Sequence, residues 1–210
     1  FFTAMIMIIM LDYRTPEQKA EAKARAAAQS AKAVNGGDAT TATATAAVAV
    51  ADAPAAAATA TSAVFAPIAG HVVSLDDAGD PVFASRALGE GVGIEPVDVA
   101  VKAPVSGVLQ TVAETGHAFG LKTDDGIEVL VHVGIDTVKM NGNGFVVNVA
   151  KGDRVNAGDL LATVDLDEVK KAGFSTTTLV TVLNTAALKS VTPKTDVNVA
   201  AGDEVIAIEQ

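Results

Sequence analysis

The sequence predicts an all-β fold, an antiparallel β-sandwich or barrel-sandwich hybrid with short helical turns, preceded by an apolar helix end and a flexible linker. Three observations predict it. From Val64 onward, short runs rich in Val, Ile and Thr alternate with Gly, Asp, Asn and Pro, the punctuation of closely spaced strands. A turn phrase recurs with variation, in Lys151-Gly-Asp153, Ala157-Gly-Asp159 and Ala201-Gly-Asp203; its Gly supplies backbone freedom and its Asp a local hydrogen bond. Strands this short and closely spaced imply a sandwich or a barrel.

The elements follow in order along the β region. Strand-like runs are Gly70-His-Val-Val-Ser, Gly91-Val-Gly-Ile, Gly107-Val-Leu-Gln-Thr-Val, Ile127-Glu-Val-Leu-Val-His-Val, Gly144-Phe-Val-Val-Asn-Val and Leu179-Val-Thr-Val-Leu. One or two helical turns are expected near Leu166 to Ala172, with Asp165 or Asp167 as cap and Lys170 and Lys171 near the far end, where a cation meets the negative end of the helix dipole.

The first third of the chain reads differently. Phe1 to Leu11 is an uncharged apolar run, shorter than the about 20 residues that cross a bilayer. With Arg14, Lys19, Lys23 and Arg25 behind it, residues 1–16 are expected to be the end of a membrane helix with a cytoplasmic flank; an apolar tail without fixed structure is the alternative. Residues 17–63 are expected to be a linker. Glu17 to Lys32 is rich in Ala, Lys, Glu and Gln and favours a partly helical spacer, whereas Asn35 to Ser62 is mostly Ala and Thr, with too few large apolar groups to offset chain entropy. Residues 64–210 then form the folded domain.

Charge and composition exclude several classes. The chain carries 15 basic and 25 acidic residues, a net charge of −10, which argues against wrapping a nucleic-acid backbone. All of that excess lies in residues 64–210, where ten basic groups face twenty acidic ones, so a basic partner surface suits the domain. The absence of cysteine removes any disulfide framework or thiolate metal site.

Two histidines stand out, in the phrases Glu114-Thr-Gly-His117-Ala-Phe-Gly-Leu121 and Glu128-Val-Leu-Val-His132-Val-Gly-Ile-Asp136. Imidazole is largely neutral near pH 7, with a lone pair able to attack phosphorus or bind a metal. Alternation from Ile127 puts Val129, Val131 and Val133 on one face, and Leu130 and His132 on the other. The parity of His117 groups it with Phe119 and Leu121, which leaves a core histidine as the alternative for that residue taken alone. A reversal at Asp124-Asp125-Gly126 would pair the two strands and let both imidazoles converge.

At these residues the sequence resembles the glucose-type IIA domain of the bacterial phosphoenolpyruvate-dependent sugar phosphotransferase system. The resemblance covers nearly all of Val64 to Gln210. Its motifs fall in order: Phe65-Ala-Pro-Ile-Ala-Gly70, Val82-Phe-Ala-Ser, Gly89-Glu-Gly-Val-Gly-Ile-Glu-Pro96, Ala103-Pro-Val-Ser-Gly107, and both histidine phrases. It implies that His132 accepts a phosphoryl group from the phosphorylated histidine phosphocarrier protein and passes it to a IIB-domain cysteine. It implies that His117 stabilises the phosphoryl group and that Thr115 orients His117. Asp80 and Asp136 would face a basic group on the donor, and Val82 and Phe83 would form an apolar rim for partners. His71 matches no functional position and is expected at the surface.

The same resemblance reads residues 1–18 as the end of the last membrane helix of a sugar-transporting IIC domain. The chain would then be the C-terminal part of a fused transporter, its IIA domain at the cytoplasmic face of the membrane. No cofactor is expected, and no metal beyond adventitious zinc between His117 and His132. Two alternatives are a zinc-dependent hydrolase, suggested by the spacing of His132 and Asp136, and a biotinyl or lipoyl carrier, suggested by Lys151-Gly-Asp-Arg-Val-Asn-Ala-Gly-Asp-Leu-Leu. The first lacks a His-x-His element. The second lacks a lysine convincingly placed at a hairpin tip, since neither Lys139 nor Lys170 and Lys171 sits there.

Overall fold

The computed structural model describes residues 61–210. The expected membrane-helix end at 1–16, and the linker at 17–63 up to residue 60, lie outside the described residues. Strand β1 (Thr61–Phe65) begins three residues ahead of the expected domain start at Val64.

The predicted all-β class holds, and every strand pairing is antiparallel. A three-stranded sheet sets β1 against β14 (Glu204–Glu209), which pairs in turn with β12 (Ser190–Pro193). A second joins β4 (Ala100–Lys102), β10 (Leu160–Val164) and β8 (Phe145–Val147). The large sheet runs β13 (Val197–Val199), β2 (Gly70–Ser74), β3 (Glu90–Pro96), β11 (Ser175–Val182), β7 (Glu128–Ile135), β6 (Ala118–Lys122), β5 (Gly107–Val112) and β9 (Arg154–Val155). No helix among the described residues is long and apolar enough to cross a membrane.

Strand alternation builds the core. Val129, Val131 and Val133 of β7, Val180 and Val182 of β11, and Phe119 and Leu121 of β6 all point inward and are buried together with Ile94, Leu161 and Ile206. Burying each such side chain stabilises the fold by roughly 1.5–3 kcal/mol before conformational entropy is subtracted. The opposite face of β7 carries Leu130 and His132, as the period of two requires. There a smaller cluster forms from Leu75, Ala78, Phe83 and Leu179, flanked by Val73, Leu88, Leu130 and Ile135.

The three recurring turns share one geometry. Asp153, Asp159 and Asp203 each accept, through Oδ2, from the backbone N–H three residues earlier, at 2.8, 2.7 and 2.8 Å. The glycine before each has φ of 93°, 94° and 103°, the positive value that a type II turn needs at its third position. The predicted helix is α2 (Leu166–Lys171), and its cap is Asp165, whose Oδ1 accepts from Glu168 N–H at 2.9 Å. A second helix went unpredicted: α1 (Pro81–Ala84), with Asp80 as N-cap and Pro81 at its start. Only one turn long, it lies below the length at which apolar periodicity shows, but Asp-Pro is itself a start signal.

Candidate functional site

The site forms where β6 and β7 run side by side on the outer face of the large sheet. Ala118 stands opposite His132 in the register, and the ladder extends one step further, with Val133 N–H donating to the His117 carbonyl at 2.7 Å. The two imidazole rings meet edge to face, centroids 4.9 Å apart and planes at 76°. The expected convergence of the histidines is therefore observed, although the parity argument for His117 fails. His117 precedes β6, beyond the extended backbone, so it does not follow Phe119 and Leu121 into the core. Its ring is 5% exposed.

Each imidazole is held through Nδ1. The Nδ1–H of His132 donates to the Gly134 carbonyl at 2.8 Å; because a carbonyl only accepts, the proton must sit on Nδ1 and the lone pair of the neutral ring on Nε2. Gly134 makes this possible. Its φ is +74°, and a Cβ there would come within 2.3 Å of Thr137 Cγ2 and 2.8 Å of the Ser175 carbonyl. On the other ring, Nδ1 of His117 lies 2.5 Å from Thr115 Oγ1. A hydroxyl can donate or accept, so Thr115 is able to give its proton to Nδ1 and leave the His117 proton on Nε2.

The surroundings keep both rings neutral. Burial, and secondarily the neighbouring charge of His132, push His117 down to about 4, because a desolvated imidazolium is disfavoured. Burial lowers His132 also, against the opposing pull of the Gly134 carbonyl and then of the Asp80 and Asp136 carboxylates. Beside His132, on β11, Leu179 occupies the paired position. Phe83 meets the ring edge-on at 5.6 Å and 64°.

Other expected residues find their places. Thr115 contacts His117 as the resemblance implied. Asp80 caps α1, its Oδ1 accepting from Val82 N–H at 2.8 Å and Phe83 N–H at 3.2 Å. Asp136, in a left-handed conformation at φ 63°, reaches the surface and binds Lys139 at 2.8 Å. Val82 is partly exposed beside the mouth. Phe83, expected on the rim, is only 4% exposed: the third residue of α1, it packs with Leu75, Ala78 and Leu179 and against the edge of the His132 ring. His71 is partly exposed, its Nδ1 3.2 Å from Asn198 Oδ1.

Two contributors escaped the sequence reading. Leu179 is the buried apolar neighbour of His132 across the sheet, visible only once β11 is known to pair with β7. The Gly134 carbonyl is the other; a glycine two residues past a strand histidine was the available signal, because glycine near a strand end marks a bend. Neither alternative chemistry gains support. Among the described residues no group of three or more His, Cys, Asp or Glu side chains could hold a metal ion, and Asp136, the hydrolase's supposed second ligand, is paired with Lys139. Lys170 and Lys171 lie in the last turn of α2, away from any hairpin tip.

An antiparallel β domain presenting two neutral, edge-to-face imidazoles, with neither Nε2 bonded by a described residue, is equipped for nucleophilic chemistry at nitrogen. Comparison with known proteins supplies the family. Residues 62–188 match the family described as phosphoenolpyruvate-dependent sugar phosphotransferase system, EIIA 1, and the chain belongs to that family. It is 44% identical over 146 residues, 70% of its length, to the PTS system glucose-specific EIICBA component of Streptococcus pneumoniae, but spans only 20% of that relative. The PTS system glucose-specific EIIA component of Bacillus cereus is 43% identical over 138 residues, 66% of this chain and 82% of the relative. The solved structure of glucose permease IIA from Mycoplasma capricolum superposes with a TM-score of 0.67 at 41% identity, covering 70% of this chain and 96% of that one. As a family member, the β domain is a phosphotransferase component of a sugar-uptake relay.

Proposed function

We propose that His132 is the phosphoryl carrier of this relay. Its neutral Nε2 attacks the phosphorus held by the phosphorylated histidine phosphocarrier protein; the donor's P–N bond breaks, and its electron pair returns to the donor's imidazole. The new phosphohistidine keeps its Nδ1–H on the Gly134 carbonyl. A IIB-domain cysteine thiolate then attacks the same phosphorus, the P–N bond to His132 breaks, and the neutral ring is restored. Phosphoryl transfer passes through a loose transition state, so positioning and charge stabilisation matter more than base strength.

The single observation that carries this reading is the pairing of the two rings with both Nδ1 atoms already committed. His117, with its proton on Nε2, donates to phosphoryl oxygens, and a charge-assisted bond of this kind is roughly twice as strong as a neutral one. Thr115 sets that tautomer. The apolar seat of Phe83 and Leu179 excludes water that would hydrolyse the intermediate. Asp80 and Asp136, with the acidic domain surface, favour a basic donor and raise its encounter rate in a salt-dependent way.

The likeness to a fused relative supports a tethered arrangement: residues 1–16 as the end of a IIC-type membrane helix, residues 17–63 as linker, and the β domain on the cytoplasmic side. A tether of that kind would hold the domain near its IIB partner at high effective concentration. The test is incubation with labelled phosphoenolpyruvate and the general phosphotransferase components. Label should enter the wild-type chain and be lost with His132→Ala; label retained by that variant would overturn the assignment.

A further inference from the structure

We propose that Thr137 is a positioning residue for His132, one that holds the Gly134 carbonyl where it sets the imidazole's tautomer; the proposal rests on the phosphoryl-acceptor reading of His132. Thr137 is fully buried and begins the 3-10 turn Thr137–Met140. Its Oγ1–H donates to the Val133 carbonyl at 2.6 Å. That bond closes a loop of five residues around Gly134, whose own carbonyl is the acceptor for His132 Nδ1–H.

Val133 is the junction between the two histidines. Its N–H binds the His117 carbonyl at 2.7 Å, while its C=O is the group that Thr137 fastens. Val133 is therefore anchored through both of its backbone polar groups, and the peptide leading into Gly134 is held by its carbonyl. The methyl of Thr137 stands 2.3 Å from where a Cβ on residue 134 would be, so only glycine fits there. Glycine at φ +74° is otherwise free to rotate, and the Thr137 hydroxyl, through its bond to the Val133 carbonyl, supplies the restraint that glycine lacks.

The chemical consequence lies at Nε2. With the Gly134 carbonyl in place, the ring proton stays on Nδ1 and the lone pair faces the incoming phosphorus. If the carbonyl swings away, the proton is free to move to Nε2, and the lone pair then points into the backbone, where no donor can reach. Outer partners that orient metal-ligating imidazoles typically contribute about 10–100-fold to affinity or activity, and the lower end of that scale is expected for His132.

Imidazole nitrogen NMR of the full chain, with phosphoryl-acceptance rates measured in parallel, tests the inference. Thr137→Val keeps the shape but loses the hydroxyl; it should show the neutral His132 ring as a mixture of its Nδ1–H and Nε2–H tautomers and an acceptance rate lower by about 10-fold. Thr137→Ser keeps the hydroxyl and should match wild type in both. A Val variant with the proton still on Nδ1 and an unchanged rate would overturn the proposal. So would a Ser variant that loses the Nδ1 proton, which decides the matter if the Val variant does not fold. Should the wild-type chain accept no phosphoryl group, the functional reading fails, while the NMR comparison still judges the positioning role.

Discussion

The two ends of the hairpin formed by β6 and β7 differ in how completely their polar groups are satisfied. At the turn, Asp125 accepts from Ser62 at 3.0 Å, from Gln210 at 3.1 Å and from Thr123, while Asp124 holds the Arg154 guanidinium through both carboxylate oxygens. Those contacts pin the start and the end of the described chain to one reversal, and the neighbouring groups pull Asp125 below the usual carboxylate range, Thr123 foremost. At the other end, each imidazole commits one nitrogen only, and no described residue bonds either Nε2. The difference teaches what separates structure from chemistry here: a saturated polar group fastens the chain, and a desolvated one with a lone pair held back can react.

That contrast can be broken at either end. The largest effect is expected from His132→Ala, which should drop phosphoryl acceptance to background in the labelled-phosphoenolpyruvate assay. His117→Gln should still accept, because its neighbour's nucleophile is intact, yet pass the group onward about 100-fold more slowly, the loss typical of one donor to a charged transition state. Rapid-quench measurement of each half-reaction separates the two.

A smaller effect concerns pH. Unfolded His117 titrates near 6.5 and folded His117 near about 4. Above 6.5 both forms are neutral and this contribution to stability is fully present; as pH falls toward 4, the unfolded chain takes up a proton that the folded site refuses. Stability should decline by roughly 3 kcal/mol across that window and then level off. Urea denaturation at pH 7 and pH 4.5 should show a shallower decline in His117→Gln than in wild type; equal slopes would assign the loss to other groups. The smallest effect is expected at the saturated end. Asp125→Asn should cost under about 1 kcal/mol, as exposed polar clusters do, and leave both half-reactions unchanged.

Much of this was legible in the residues. The alternation around Ile127 put His132 on the face opposite Val129, Val131 and Val133 because strand geometry has a strict period of two. Asp165 as cap and the Gly-Asp turns were equally readable, since each depends on atoms within three residues. His117 was harder. Strand parity grouped it with Phe119 and Leu121, and only the start of β6 at Ala118 releases it from that rule. The resemblance placed Phe83 on the rim, and nothing local in the residues reveals that it is buried against the His132 ring.

By itself, the sequence determined which face of β7 bears a histidine, where the chain reverses, and that an acidic β domain carries paired imidazoles, all consequences of short-range periodicity and turn chemistry. Tertiary structure alone decided that the rings touch edge to face, that Leu179 and Phe83 desolvate them, and that the Gly134 carbonyl chooses the nitrogen left bare. Those properties depend on which strands become neighbours, and side chains as distant in sequence as His132 and Leu179 acquire a shared environment only when the sheet assembles.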